Sequence, residues 1–179
     1  VLQMMDALQV PRAVVVGHSM GSFVAQAIAD RSPQQVASLV LIGSAATAAN
    51  NAVAELSEVV RAMDAVDREF VSAFQRGSVA LPVPEPFMAA AIENSLRMPA
   101  AVWKQALAGL IEYRPASVRP TVRTLVIGGT KDNVFSVDEQ TRLARQYPNG
   151  RLLLLDGVGH TPHWEVPERF VNELLKFAR

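Results

Sequence analysis

Residues 17–21 read Gly-His-Ser-Met-Gly and lie between the apolar run 13–16 and an amphipathic stretch that opens at Ser22. A serine in that setting sits at the tip of a strand-to-helix turn. The flanking glycines Gly17 and Gly21 lack Cβ atoms, so the chain can turn sharply there and hold strained dihedrals. Such a turn exposes the Ser19 hydroxyl to a base and aims the backbone N–H of Met20 at the oxyanion that forms when serine attacks a carbonyl. The five-residue pattern also arises by chance as a plain glycine-rich turn. Its place between a strand pattern and a helix pattern is what makes Ser19 a candidate nucleophile.

The rest of the chain repeats the alternation. Residues 1–10 carry Leu2, Met5 and Leu8 at helical spacing and are closed by Pro11. Strands are expected at 13–16, 38–42, 124–127 and 151–155, and helices at 22–31, 137–146 and 167–177. Strand, helix and strand within some thirty residues make a βαβ unit with parallel strands. The strand runs are continuously Val, Leu and Ile, which requires both sheet faces to be covered. The expected fold class is α/β, a parallel sheet flanked by helices.

Residues 45–120 break this rhythm. Apolar residues at three- and four-residue steps predict helices over 53–63, 68–76, 87–96 and 100–111, and the proline-rich piece 81–86 divides them. The chain therefore divides into an α/β core, 1–44 with 121–179, and a helical insertion, 45–120. An insertion at the carboxyl ends of parallel strands overlies the place where such sheets bind ligands. It is expected to act as a cap, the alternative being a helical subdomain that only adds core. Its bulky residues, Phe87 and Trp103 among them, together with His163 and Trp164, are candidates to line an apolar substrate pocket, although such residues at helical spacing also build cores.

A serine nucleophile needs a base and an acid that orients it. The chain has three histidines. His18 adjoins Ser19 in the turn, where neighbouring side chains diverge, so a packed or hydrogen-bonded supporting role is expected. His160 follows the last strand in Gly157-Val158-Gly159-His160, at the same strand-end level as Ser19, and is the candidate base. His163 precedes the last helix, where capping or packing is expected. Asp132, after Gly128-Gly129-Thr130-Lys131, is the candidate acid. Asp156 is its rival by proximity to His160, and Asp138 could take the capping role that is the alternative for Asp132. The order Ser19, Asp132, His160 favours Asp132. Asp30, Asp64 and Asp67 read as solvated surface.

Composition narrows the function classes. Lys+Arg and Asp+Glu both number 17, so the formal charge is zero and neither nucleic acid nor an anionic membrane is an expected partner. The absence of cysteine excludes disulfides and cysteine metal sites. No metal or cofactor is expected. No apolar run approaches the roughly 18 residues of a membrane span, and the start lacks a signal-peptide pattern, so a cytoplasmic enzyme is expected.

Three motifs in order, Gly17-His18-Ser19-Met20-Gly21, Gly128-Gly129-Thr130-Lys131-Asp132 and Gly159-His160-Thr161-Pro162-His163-Trp164-Glu165-Val166-Pro167-Glu168, resemble those of the α/β-hydrolase-fold superfamily. Within it the chain resembles capped serine hydrolases: small esterases, carbon–carbon bond hydrolases and cofactor-free perhydrolases. The resemblance implies Ser19 as nucleophile, His160 as base, Asp132 as acid and the Met20 N–H as one oxyanion donor. The expected substrate is a small ester or acyl compound. A serine at position 19 argues against dehalogenase and epoxide-hydrolase relatives that use aspartate.

Relatives also carry four further strands ahead of the turn, including the loop that supplies a second oxyanion donor. The chain is accordingly read as N-terminally truncated, a fragment or a naturally short version. Its strand at 13–16 would then leave an apolar edge, which a twofold homodimer is expected to cover. The alternative function is a catalytically weak or inactive chain acting as a ligand-binding or dimeric scaffold.

Overall fold

The computed structural model describes residues 1–178. Four strands, β1 (Ala13–His18), β2 (Val36–Ile42), β3 (Thr124–Gly129) and β4 (Gly150–Leu155), form one parallel sheet in the order β1-β2-β3-β4. The register pairs Val16 with Val40, Leu41 with Val126, and Ile127 with Leu153. β2 and β4 end with their apolar runs, whereas β1 and β3 extend into the glycines and polar residues that follow, because the ladder continues as long as a neighbour offers backbone partners. β1 thus ends at His18 and β3 at Gly129.

The sheet's two-residue period sorts the core into two layers. Leu39, Leu41 and Val126 face α2 (Met20–Arg31) and α7 (Val137–Gln146), meeting Ile28, Ala29 and Leu143. Val40, Ile42, Leu125 and Ile127 point to the other face and meet Phe170 and Phe177 of α9 (Pro167–Ala178), which follows the one-turn helix α8 (Pro162–Glu165). Both faces of the central strands are therefore dry, as their unbroken apolar sequence requires. β1 lies at the sheet's edge, and its Val14 and Val16 remain 39% and 46% exposed.

Helix α1 (Leu2–Ala7) is shorter than the ten residues its spacing predicts. Gln9 adopts φ 53°, and a left-handed residue ends a helix two positions before Pro11 would have done so. Four helices, α3 (Asn51–Ala62), α4 (Arg68–Gly77), α5 (Glu85–Leu96) and α6 (Ala100–Glu112), run between β2 and β3. Their buried Val53, Val60, Leu107 and Leu110 form one cluster with Phe23 of α2 and Phe135 beyond β3. The insertion thereby rests on residues that follow the carboxyl ends of β1 and β3.

Two polar assignments from sequence change. Asp30 is not solvated surface: its carboxylate pairs with Arg119 at 2.9 Å, and the two side chains are 12% and 3% exposed. Asp138 does not cap α7. Ser136 does, accepting from the Glu139 N–H while Glu139 accepts from the Ser136 N–H, so the Ser-x-x-Glu spacing marks the helix start. Asp67 caps α4 through the Phe70 N–H.

Candidate active site

Ser19 terminates β1 and starts α2 with φ 50° and ψ −123°, a conformation that L-residues rarely adopt and that costs on the order of 1–3 kcal/mol. The turn is held from several sides. The Ser19 N–H donates to the Ile42 carbonyl at 2.9 Å, and the Ser19 carbonyl accepts from the Ser22 N–H and hydroxyl at 2.9 and 2.5 Å. Of the two motif glycines, Gly17 is sterically required, since a Cβ there would collide with the Gly21 carbonyl. At Gly21 the surrounding space is open.

His160 reaches this turn from the loop after β4. Its Nε2 lies 2.8 Å from Ser19 Oγ, and its Nδ1 lies 3.0 and 3.1 Å from the two carboxylate oxygens of Asp132. A carboxylate only accepts, so Nδ1 carries the proton, and Nε2 is left with a lone pair aimed at the serine hydroxyl. The Asp132 side chain is fully buried, and its Oδ1 also accepts from the N–H groups of Val134 and Phe135 at 2.8 and 3.0 Å. These bonds hold the carboxylate independently of its contact with His160. Asp156, the rival acid, stays outside and accepts from the Thr130 hydroxyl.

The other two histidines pack in series beside the first, His18 against His160 and His163 against His18. His18 donates from Nε2 to the His160 carbonyl at 2.9 Å, and its ring lies 4.9 Å from that of His160 and 4.5 Å from that of His163. The ring contacts continue through Trp164 to Phe87 of α5. Three of the four pocket candidates, Phe87, His163 and Trp164, therefore form one aromatic path leading to His160. Trp103 is elsewhere: its ring packs edge-on against Phe70 and Phe74 inside the insertion. Sequence reasoning did not find Glu165, a buried carboxylate in the His160 loop. It stands inside the third motif, but nothing in the sequence gives it a role apart from that of its neighbours.

Burial and the neighbouring His160 and His163 rings lower the His18 pKa to about 3, and burial lowers that of His163 to about 4. Both rings are thus neutral when folded but take up protons near 6.5 when unfolded. Between pH 6.5 and those lower values the unfolded chain binds more protons, so stability falls on acidification by up to about 1.4 kcal/mol per pH unit for each ring. We expect the melting temperature to drop steeply from pH 6.5 to 4, and His163→Gln to flatten that slope relative to wild type. Parallel slopes for the two proteins would refute this origin of the acid sensitivity.

A cavity of about 690 Å³ lined by Arg12, Arg123 and Arg151 opens at the amino ends of the strands. It contains no nucleophile–base pair, whereas the carboxyl ends hold three side chains in hydrogen-bond contact. We place the site at the carboxyl ends. Among the described residues no group of three or more His, Asp or Glu is placed to hold a metal ion, and no helix is long and apolar enough to cross a membrane.

A strained serine turn between a parallel strand and a helix, with acid and histidine on later strand ends, defines the class that comparison with known proteins identifies. The chain belongs to the α/β hydrolase fold family, whose profile matches residues 1–167. A 2-hydroxy-6-oxononadienedioate/2-hydroxy-6-oxononatrienedioate hydrolase of Paraburkholderia xenovorans is 27% identical over 97% of this chain and 64% of its own length. A hydrolase from Pseudomonas aeruginosa superposes with TM-score 0.82 at 25% identity, covering 98% of this chain and 68% of that one. An esterase from Exiguobacterium antarcticum gives TM-score 0.86 at 19% identity over 99% and 70% of the two chains, a likeness of fold. The chain spans between 58% and 65% of the length of the first curated relatives it matches.

Proposed function

We propose that the protein is a serine hydrolase of carboxylic esters or similar small acyl compounds, with Ser19 as nucleophile, His160 as general base and Asp132 as the orienting acid. The observation that carries this reading is the pair of hydrogen bonds on His160, one to Ser19 and one to a pre-positioned carboxylate. His160 Nε2 takes the hydroxyl proton as Ser19 Oγ bonds to the acyl carbon. The Met20 N–H, first in α2 and without an intrahelical partner, donates to the resulting oxyanion. On collapse His160 returns the proton to the leaving alcohol, which departs as an acyl-enzyme forms. Water then repeats the cycle: one of its protons goes to His160 as its oxygen bonds to the acyl carbon, and on collapse His160 gives that proton to Ser19 Oγ, which leaves as the acid is released. Asp132 holds the imidazole in the tautomer that allows each transfer.

A fluorophosphonate probe tests the reading directly: stoichiometric labelling that Ser19→Ala abolishes is expected. Absence of labelling on the folded chain would overturn it and favour a ligand-binding scaffold. The named activity of the Paraburkholderia relative makes a 2-hydroxy-6-oxo dienedioate the second substrate class to assay beside p-nitrophenyl esters.

In this reading α3–α6 form a cap, and the two bulky candidates separate by position. Phe87 is 44% exposed at the outer end of the aromatic path, and Trp103 packs within the helices. Phe87→Ala is expected to change the preference among acyl chain lengths while sparing acetate turnover. Trp103→Ala is expected to lower the melting temperature and leave that preference unchanged. A uniform loss across all esters for Phe87→Ala would make it core as well.

A further inference from the structure

Glu165 is a carboxylate that the proposed chemistry does not use, and it is only 8% exposed. Its Oε2 accepts from the N–H groups of Ala80, Leu81 and Gly159, each at 2.9 Å. Its Oε1 accepts from the Thr161 N–H at 3.2 Å and the Thr161 hydroxyl at 3.3 Å. Among the described residues no lysine or arginine pairs with it. Five donors converge instead, and a buried carboxylate is tolerable only when its lone pairs are filled in this way.

The donors come from two distant segments. Ala80 and Leu81 lie in the link between α4 and α5, and Gly159 and Thr161 bracket His160. The His160 N–H itself donates to the Ser78 carbonyl at 3.0 Å, extending the same seam. The approach is close enough that a Cβ at position 159 would fall 2.7 Å from the Ala80 nitrogen, so only glycine permits it. Gly157–Thr161 lies between β4 and the one-turn helix α8 (Pro162–Glu165), so no strand or helix ladder holds the backbone on either side of His160. A single carboxylate anchors it.

We propose that Glu165 is a positioning residue, which sets His160 against Ser19 and fastens the helical insertion to the histidine loop, so that one side chain fixes both. This rests on the proposed hydrolase reading for its catalytic consequence, though the geometric part does not. Glu165 touches no reacting atom. Its effect passes through the backbone on either side of His160, where a displacement of about 1 Å costs on the order of 10²-fold in rate.

The test compares wild type with Glu165→Gln and Glu165→Ala in two measurements. The first is the downfield proton NMR signal of the His160 Nδ1–H, assigned by its loss in Asp132→Ala. The second is kcat and KM for p-nitrophenyl acetate. Glu165→Gln can keep one oxygen on the three N–H donors but turns its NH2 toward the Thr161 N–H. It is expected to shift the signal and lower kcat about 10-fold, with KM for acetate little changed. Glu165→Ala is expected to broaden the signal away and lower kcat about 100-fold. If Glu165→Ala does not fold, Glu165→Gln decides alone.

Wild-type kcat together with an unmoved signal in the folded Gln variant would overturn the proposal. An inactive wild type whose signal still moves on substitution would instead overturn the hydrolase reading and leave the positioning role standing. A loss of melting temperature without change in either measurement marks Glu165 as a structural staple only, and also defeats it.

Discussion

Ser19→Ala is expected to lower ester turnover on the order of 10⁶-fold while leaving the circular dichroism spectrum unchanged. The size follows from what the hydroxyl does. Without Oγ there is no acyl-enzyme, and the residual rate is what binding and the Met20 N–H provide to a direct attack by water. His160→Ala should match it, because an undeprotonated serine is as poor a nucleophile as none. Asp132→Asn should cost about 10⁴-fold. The asparagine carbonyl can still take the Val134 and Phe135 N–H groups that Asp132 Oδ1 accepts now, so its amide faces Nδ1. The imidazole then carries its proton on Nε2 and has no lone pair for Ser19. The double variant Ser19→Ala/His160→Ala should be no slower than either single one, since the residues act as a unit. Ester hydrolysis by Ser19→Ala at the wild-type rate would refute the mechanism.

Much of this site is legible because its parts are local. The glycine-bounded turn, the strand ends and the order of serine, aspartate and histidine each lie within a few residues of an apolar run, and periodicity locates apolar runs well. The choice of Asp132 over Asp156 is legible only through that order. In space it is decided by burial, since Asp132 is enclosed and Asp156 remains outside. The exact last residue of a strand is less legible than the strand's place, as β1 and β3 run on through glycine where pairing rather than propensity sets the limit. Glu165 stands in the third motif, but its role is not legible. Its partners Ala80 and Leu81 are 85 and 84 residues away and present only backbone N–H groups, which every non-proline residue has. Nor is Asp30, whose position on the predicted helix 22–31 gives no sign that Arg119 folds over it.

That buried pair carries the second large effect, on stability. The Arg119 guanidinium gives one nitrogen to Asp30 at 2.9 Å, another to Gln26 at 2.8 Å, and lies 5.1 Å from the Tyr147 ring centre. Asp30 also accepts from the Ala116 N–H and the Tyr113 hydroxyl. Removing either charge strands the other away from water, which costs about 3–5 kcal/mol against a total stability of roughly 5–15 kcal/mol. Arg119→Ala and Asp30→Ala are each expected to lower the denaturant midpoint accordingly, and the melting temperature by roughly 6–20 °C. The double variant should be less damaging than the two losses added, because it leaves no bare charge.

The network also reaches Ser19. Gln26 donates to Ser44, whose hydroxyl is 2.7 Å from that of Ser22, and Ser22 holds the Ser19 carbonyl. Arg119→Ala should therefore slow fluorophosphonate labelling of the fraction that remains folded, whereas a stabilising pair remote from the turn would leave that rate unchanged. A stability loss below about 1 kcal/mol for Arg119→Ala would show that the pair is solvated after all and that the 113–119 segment lifts freely from α2.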